Sequence, residues 1–288
     1  MKKILCFPIA FLLFVSSIAF SSDEPVASKW TAAPPKLDGL NEDWVDDGLS
    51  FEKSVSVDYA FRNDNRNLYI LFLFKDPKFL STVDLTGITL YPSPADKKQK
   101  DQGVRFLRKN VKADELIAIM EKKGTSLTEE KKQEIRKSPM YTLYEAEAVN
   151  KKGEVVPASG TSVDVDPPTF RLQRQGKIVV YEFRIPLASR ELHPAGAAGA
   201  PGESLRIGFE WGGMTEEMKK AMASGISADG VRAGATDTSM DTTLRGGDEN
   251  EGKSRGMSMA ESSPELARMR QGPKKYSFWA DVRLAQSQ

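Results

Sequence analysis

The chain has 288 residues, 40% of them hydrophobic and 28% charged, and a formal net charge of +1. That length suits one large domain or two small ones, and so balanced a charge gives no global field for nucleic acid. Cys6 is the single cysteine and His193 the single histidine, which argues against disulfides, thiolate metal sites, a Cys nucleophile and covalent haem attachment.

The first 21 residues read as a secretory signal peptide. Lys2 and Lys3 supply a positive start, Ile4 to Phe20 is an apolar run, and Ala19-Phe20-Ser21 fits the small-residue cleavage rule. The run is about 17 residues, at the lower edge for spanning a bilayer. Cleavage is therefore the reading and a retained anchor the alternative. Cys6 leaves with the leader, and no later stretch is long enough to span. The expected destination is the periplasm or the extracellular space. Residues 22–288 read as a single domain.

Pro34 and Pro35 precede KLDGLNEDW at 36–44. The prolines hold the backbone extended and cannot continue a helix. Gly39 permits a tight turn after Asp38, and Trp44 is expected to close one end of the core. Asp38, Asp43, Asp46 and Asp47 carry oxygens suited to Ca²⁺. No loop alternates such ligands with a closing Glu, so they read as solvated turn carboxylates.

Next, Val55, Val57, Tyr59 and Phe61 alternate with Ser56, Asp58 and Ala60, a half-buried strand. RNDNRN at 62–67 is turn chemistry. LYILFLF at 68–74 is apolar on both faces and reads as a central strand covered on both sides. Residues 54–75 thus form a hairpin. GITLYP at 87–92 and YTLYEAEAV at 141–149 are further strands, the latter followed by a turn at 150–154. Residues 169–187 make a second hairpin turning at Gln175-Gly176, with Val179, Tyr181, Phe183 and Ile185 on one face. Leu205, Ile207, Phe209 and Trp211 alternate, as do Phe278, Ala280, Val282 and Leu284. About eight to ten strands with no strand–helix–strand rhythm predict an all-β, antiparallel β-sandwich.

Two inserts interrupt the strands. Residues 97–137 carry 13 Lys/Arg against 7 Asp/Glu, and ADELIAIMEKKG at 113–124 and SLTEEKKQEIRKS at 126–138 read as short helices, so this reads as a basic, helical insert lying over the sandwich rather than a domain. Ser126 and Glu129 have capping-box spacing. Residues 212–272 are rich in Gly and Met and have no aromatic residue. A long mobile loop with one or two short helices is expected there.

KLDGLNEDW, the alternating strand after it, and NDNRNLYILFLFKDP resemble the opening of family 9-like carbohydrate-binding modules, within the DOMON-like β-sandwich group. VVYEFRIPL, LRIGFEW and YSFWADVRLA resemble that group's later strands. The resemblance covers residues 30–91, 141–211 and 274–285 and leaves both inserts outside. It implies a non-catalytic sandwich that binds sugars or, in related branches, haem. It carries over no site residue.

Catalytic patterns are thin. His193 lies in a Gly/Ala/Pro loop, and no G-x-S-x-G elbow accompanies it, which argues against a triad. Asp164 and Asp166 offer paired carboxylates for glycoside hydrolysis, yet read as loop residues before Pro167. No phosphate loop or dinucleotide fingerprint appears. The chain reads as a non-enzyme. Sugar binding needs flat aromatic faces with polar neighbours. Trp211, before Gly212-Gly213, and Tyr91, before Pro92, are the candidates for a ligand rim. The alternative class is haem held by His193 with a methionine such as Met214, or copper on Met257 and Met259 or on the Met214, Met218, Met222 stripe. That stripe also reads as one packing face of a helix. A third reading is a cell-envelope assembly component with the inserts as partner surfaces.

Overall fold

The computed structural model describes residues 24–157, 164–214 and 273–287. The signal-peptide reading and nearly all of the Gly/Met-rich insert lie outside these residues. In chain order the strands are β1 (Val26–Ala27), β2 (Lys29–Trp30), β3 (Ser50–Glu52), β4 (Val57–Asn63), β5 (Asn67–Phe74) and β6 (Ile88–Pro94). Then come β7 (Gln102–Lys112), β8 (Met140–Asn150), β9 (Thr169–Gln175), β10 (Ile178–Pro186), β11 (Ser204–Gly212) and β12 (Lys275–Arg283). Helix α1 is Val83–Thr86, α2 is Ala113–Lys122 and α3 is Glu129–Arg136. No helix among the described residues is long and apolar enough to cross a membrane.

The protein is an all-β sandwich. The front sheet runs β1-β12-β11-β6-β7-β8. The back sheet runs β2-β4-β5-β10-β9, with β3 also pairing β4. The long strands pair antiparallel, as the absence of a strand–helix–strand rhythm predicted. The two shortest do not: β1 lies parallel to β12 and β2 parallel to β4. The opening segment therefore starts on the front sheet and continues on the back one, switching at Ser28.

Alternation fixes the core. Val57, Tyr59, Phe61, Leu68, Ile70, Phe72, Phe74, Val179, Tyr181, Phe183 and Ile185 point inward from the back sheet. They meet Ile88, Leu90, Val104, Phe106, Ile207, Phe209, Trp211 and Phe278 of the front sheet. The Phe72 ring is central, 4.7 Å from Phe209, 5.5 Å from Phe183 and 5.8 Å from Phe278. Burying one such side chain stabilises the fold by about 1.5–3 kcal/mol, and edge-to-face ring pairs add to this.

The expected two-sided cover of β5 is present, and its outer half comes from the Pro-led segment. Trp44 does not close the end of the main core. It makes a second, smaller core on the outer face of the back sheet with Ala60, Tyr69, Leu71, Leu73 and Val180. The pin is Glu182, fully buried on that face. Its carboxylate accepts from Trp44 Nε1 at 2.8 Å, Gly39 N at 2.7 Å and Asp38 N at 3.0 Å. Of the nearby acids, Asp47 pairs with Lys29 at 2.9 Å and with Arg62.

Within 97–137 the two expected short helices are present, as α2 and α3, but the insert is more than a helical pair lying over the sandwich. Its first part is not helical: residues 102–112 form β7, placing Val104 and Phe106 in the core. Its charges are balanced across the strand pair, Arg105 against Glu147 at 2.9 Å and Lys109 against Glu145 at 2.5 Å. Only α2 and α3 are helical, at the far end of the β7–β8 ribbon, around Ala113, Ile117 and Ile135. The cap of α3 is Thr128, whose hydroxyl accepts from Lys131 N at 3.3 Å, rather than Ser126. Thr128 is the residue immediately before the first helical turn, where a side-chain acceptor reaches its free N–H groups.

Candidate functional site

The inward face of the front sheet is core, so any ligand surface on this sheet is its outer one. Register places Trp279 opposite Gly208, and Gly208 opposite Tyr91. Leu90 pairs with Val104, so Gly103 comes next on the rung beside Tyr91. Trp279 on β12, Gly208 on β11, Tyr91 on β6 and Gly103 on β7 thus form one row across four strands, aromatic and glycine alternating.

The glycines are what let the rings sit there. A Cβ on Gly208 would stand 2.8 Å from Trp279 Cη2 and 2.9 Å from Cζ2 and Cζ3. Such nearly equal distances put the ring over the glycine rather than end-on to it. A Cβ on Gly103 would stand 2.8 Å from Tyr91 Cδ1 and 2.9 Å from Cε1. Covering a strand glycine with a neighbouring ring protects exposed backbone, and it also leaves a surface of low relief.

Charged side chains flank the row. On one side Arg206 and Asp281 form a two-pronged pair, with Arg206 Nη2 at 2.7 Å from Asp281 Oδ2, and Ser93 is opposite Arg206. On the other side Glu210 is held by Lys100 at 2.5 Å and Lys275 at 2.7 Å. Lys100 Nζ lies 5.6 Å from the centre of the Tyr91 ring. Burial, and then the Glu210 carboxylate, push the Tyr91 hydroxyl up to about 12, so it remains a neutral donor throughout the physiological range.

The two residues picked from the sequence are placed differently. Trp211 faces inward and is 2% exposed. Its indole N–H donates to the Phe79 carbonyl at 2.7 Å, and its ring packs 5.5 Å from Phe74. It serves the core and presents no face to a rim. Tyr91 lies on the outer face but is 6% exposed, under Lys100. Trp279, which the sequence reading passed over, is the partly exposed ring of the row. Its signal was present: Phe278, Ala280 and Val282 face inward, so period two sends Trp279 outward.

His193 is buried, and its Nδ1 accepts from Ala195 N at 3.0 Å. Burial holds its pKa below the ordinary imidazole value. Of the methionines named for haem or copper, Met214 alone lies within the described residues. Among the described residues no three His, Cys, Asp or Glu side chains cluster to hold a metal. Asp164 and Asp166 border a small cleft of about 230 Å³ at one end of the sandwich, beside Arg66 and Pro201. Asp166 accepts from Asn67 Nδ2 at 3.1 Å there. Hydrogen bonding by Asn67 holds its carboxyl below the ordinary range, against a smaller opposing effect of burial.

No family model matches the chain, and no curated protein matches it. Among solved structures, it is similar to a carbohydrate binding module family 9 from Caldicellulosiruptor kristjanssonii in complex with glucose. The match covers 67% of this chain and 80% of that one, at 12% identity and a TM-score of 0.32. A second structure of that module, in complex with cellotriose, matches over 67% and 78% of the two chains at 11% identity and a TM-score of 0.32. The family is the one that the sequence motifs resemble.

Proposed function

We propose that the protein is an exported, non-catalytic glycan-binding module that acts in the periplasm or outside the cell, with the outer face of the front sheet as its binding surface. One observation carries this reading: Trp279 lies over Gly208 in the same row as Tyr91 over Gly103, between two lines of charged side chains. A sugar presents C–H groups on its ring faces and hydroxyls around its rim. A partly exposed indole offers the first an apolar surface. Fixed guanidinium, ammonium and carboxylate groups beside it offer the second their donors and acceptors. Tyr91 keeps a ligand role here as the second ring of the row, and Trp211 takes a packing role.

The test is affinity electrophoresis through gels containing soluble polysaccharides, with Trp279→Ala beside the unaltered protein. Trp279→Ala is expected to lose retention while keeping the circular dichroism spectrum and a cooperative melt. Trp211→Ala is expected to lower stability by about 3–5 kcal/mol, as large core truncations do. Unchanged retention of a folded Trp279→Ala variant on every retained polysaccharide would remove this face from consideration.

A further inference from the structure

We propose that the outer edge of β8 is a self-association surface, on which a second copy of this chain pairs to give a dimer with one continuous front sheet.

β8 is the outermost strand of the front sheet. Its last residues already have their edge filled. Val156 N donates to the Ala148 carbonyl at 2.8 Å, and Asn150 N donates to the Glu154 carbonyl at 2.9 Å. These bonds fix the alternation. Ala148 turns its backbone groups away from β7, so Ala146, Tyr144, Thr142 and Met140 do the same. Among the described residues no backbone group bonds to those four, and only the Ser138 hydroxyl reaches the Met140 carbonyl, at 3.0 Å.

Natural edges are commonly blunted by Lys, Pro or a bulge. Met-Tyr-Thr-Leu-Tyr at 140–144 has no Lys or Pro and favours a strand. Met140 is 43% exposed. Pro139 ends the open stretch on one side, and Val156, on the Ala148 carbonyl, ends it on the other.

The side chains select the occupant. The open stretch runs from Met140 to Ala146, and its midpoint is Leu143. Antiparallel pairing of two copies about Leu143 uses all of it. Met140 then faces Ala146 of the second copy, Thr142 faces Tyr144, Tyr141 faces Glu145, and Leu143 faces Leu143. Apolar and aromatic–β-branched pairs support such a register, and like charges would oppose it. No like charges meet here. Moving the centre two residues, to Glu145, sets two carboxylates face to face. It also lays Thr142 against Ala148, where Val156 already sits.

The twofold axis stands on Leu143, perpendicular to the sheet. Both outer front faces therefore look to the same side, and the dimer presents Trp279 twice to one extended surface. Two linked sites hold a repeating ligand more tightly than one. The pairing itself uses only the backbone and side chains of β8 and does not depend on what that face binds. It is short beside a standard interface of about 1,600 Å², so the dimer is expected to be reversible.

Sedimentation velocity from micromolar to millimolar protein tests this. The mass is expected to rise from monomer to dimer with concentration. Thr142→Pro removes an outward N–H and leaves the β7–β8 bonds in place. It is expected to stay monomeric with a cooperative melt. In a Cys6→Ser background, Leu143→Cys is expected to form a disulfide-linked dimer under mild oxidation. Residues opposed in such a pair have Cα atoms about 4.5 Å apart, within disulfide reach. Glu145→Cys, two residues away, is expected not to cross-link. Should Thr142→Pro fail to melt cooperatively, Leu143→Glu and Leu143→Lys must each be monomeric and their mixture dimeric. A monomer at every concentration, with no Leu143→Cys cross-link, would overturn the second copy as the occupant of this edge. A dimer unchanged in folded Thr142→Pro would overturn the edge. Cross-linking of Glu145→Cys as fast as Leu143→Cys would overturn the register.

Discussion

Glu182 sits on a strand where period two sends it away from the core, yet it is fully buried. Outward on the back sheet means beneath residues 36–44. Burial pushes its carboxyl above the ordinary glutamate range, and hydrogen bonds from Trp44, Gly39 and Asp38 hold part of that shift back. The contact also needs Gly39. Its φ is +82°, and a Cβ there would come within 2.7 Å of the Leu172 carbonyl carbon. Trp44→Phe and Glu182→Gln are each expected to cost about 1–3 kcal/mol, the usual penalty for stranding a buried polar partner. The double variant should cost less than their sum by about 0.5 kcal/mol or more, since the two act on one bond. Urea unfolding of the four proteins checks this, and simple additivity would mean that the indole–carboxylate bond contributes nothing. A structural role for Trp44 was legible from the Pro-led turn and its closing aromatic. Its anchor was not, because 138 residues separate Trp44 from Glu182 and an outward glutamate reads as solvated.

At the scale of elements, alternation recovered the strands whose inner and outer faces contrast. Val57-Tyr59-Phe61, Val179-Tyr181-Phe183-Ile185 and Leu205-Ile207-Phe209-Trp211 all point where their spacing sends them. It missed β7 because only Val104 and Phe106 belong to the main core, and four basic residues interrupt the alternation. Two of those cations, Arg105 and Lys109, are matched by acids of β8, a pairing invisible until the two strands are aligned, and Arg108 by Asp84 of α1. Beyond Phe106, β7 no longer pairs with β6, so the β7–β8 ribbon leaves the sheet and carries α2 and α3 at its tip. That tip has its own small apolar cluster, and Tyr141 Oη donates to the Ile135 carbonyl at 2.6 Å. Replacing residues 113–139 by Asn-Gly should therefore spare the sandwich. Lys112 and Met140 are already register partners, and Asn-Gly suits a two-residue hairpin turn. The melting temperature by calorimetry is expected to move by only a few degrees, as for changes of about 1 kcal/mol. Collapse of the cooperative transition would show that the tip supports the main core. The Trp279 row belongs to this scale too. Each of its residues was in plain view, but a row across four strands exists only once three registers are known.

For the whole molecule, the sandwich was legible from strand patterns, while the way its two sheets are tied was not. Strands of two residues carry no periodicity to read. The tie is Asn63, fully buried at the end of β4. Its Oδ1 accepts from Ala285 N at 2.8 Å and from Ser28 Oγ, and its Nδ2 donates to the Ala285 carbonyl at 3.0 Å. One amide thus joins the residue where the opening segment changes sheets to the stretch that follows β12. Asn63→Ala strands several buried groups at once and is expected to cost about 2–4 kcal/mol, measured as a drop in the denaturant midpoint at unchanged slope. A change within about 0.5 kcal/mol would mark the tie as dispensable.

The parallel pairing of β1 with β12 has a mechanical consequence. Tension applied through the chain before Val26 and after Leu284 would drag these strands past one another in opposite directions. The Ser28 N–Arg283 O bond and the Asn63 bonds to Ala285 would then bear load together instead of opening one by one.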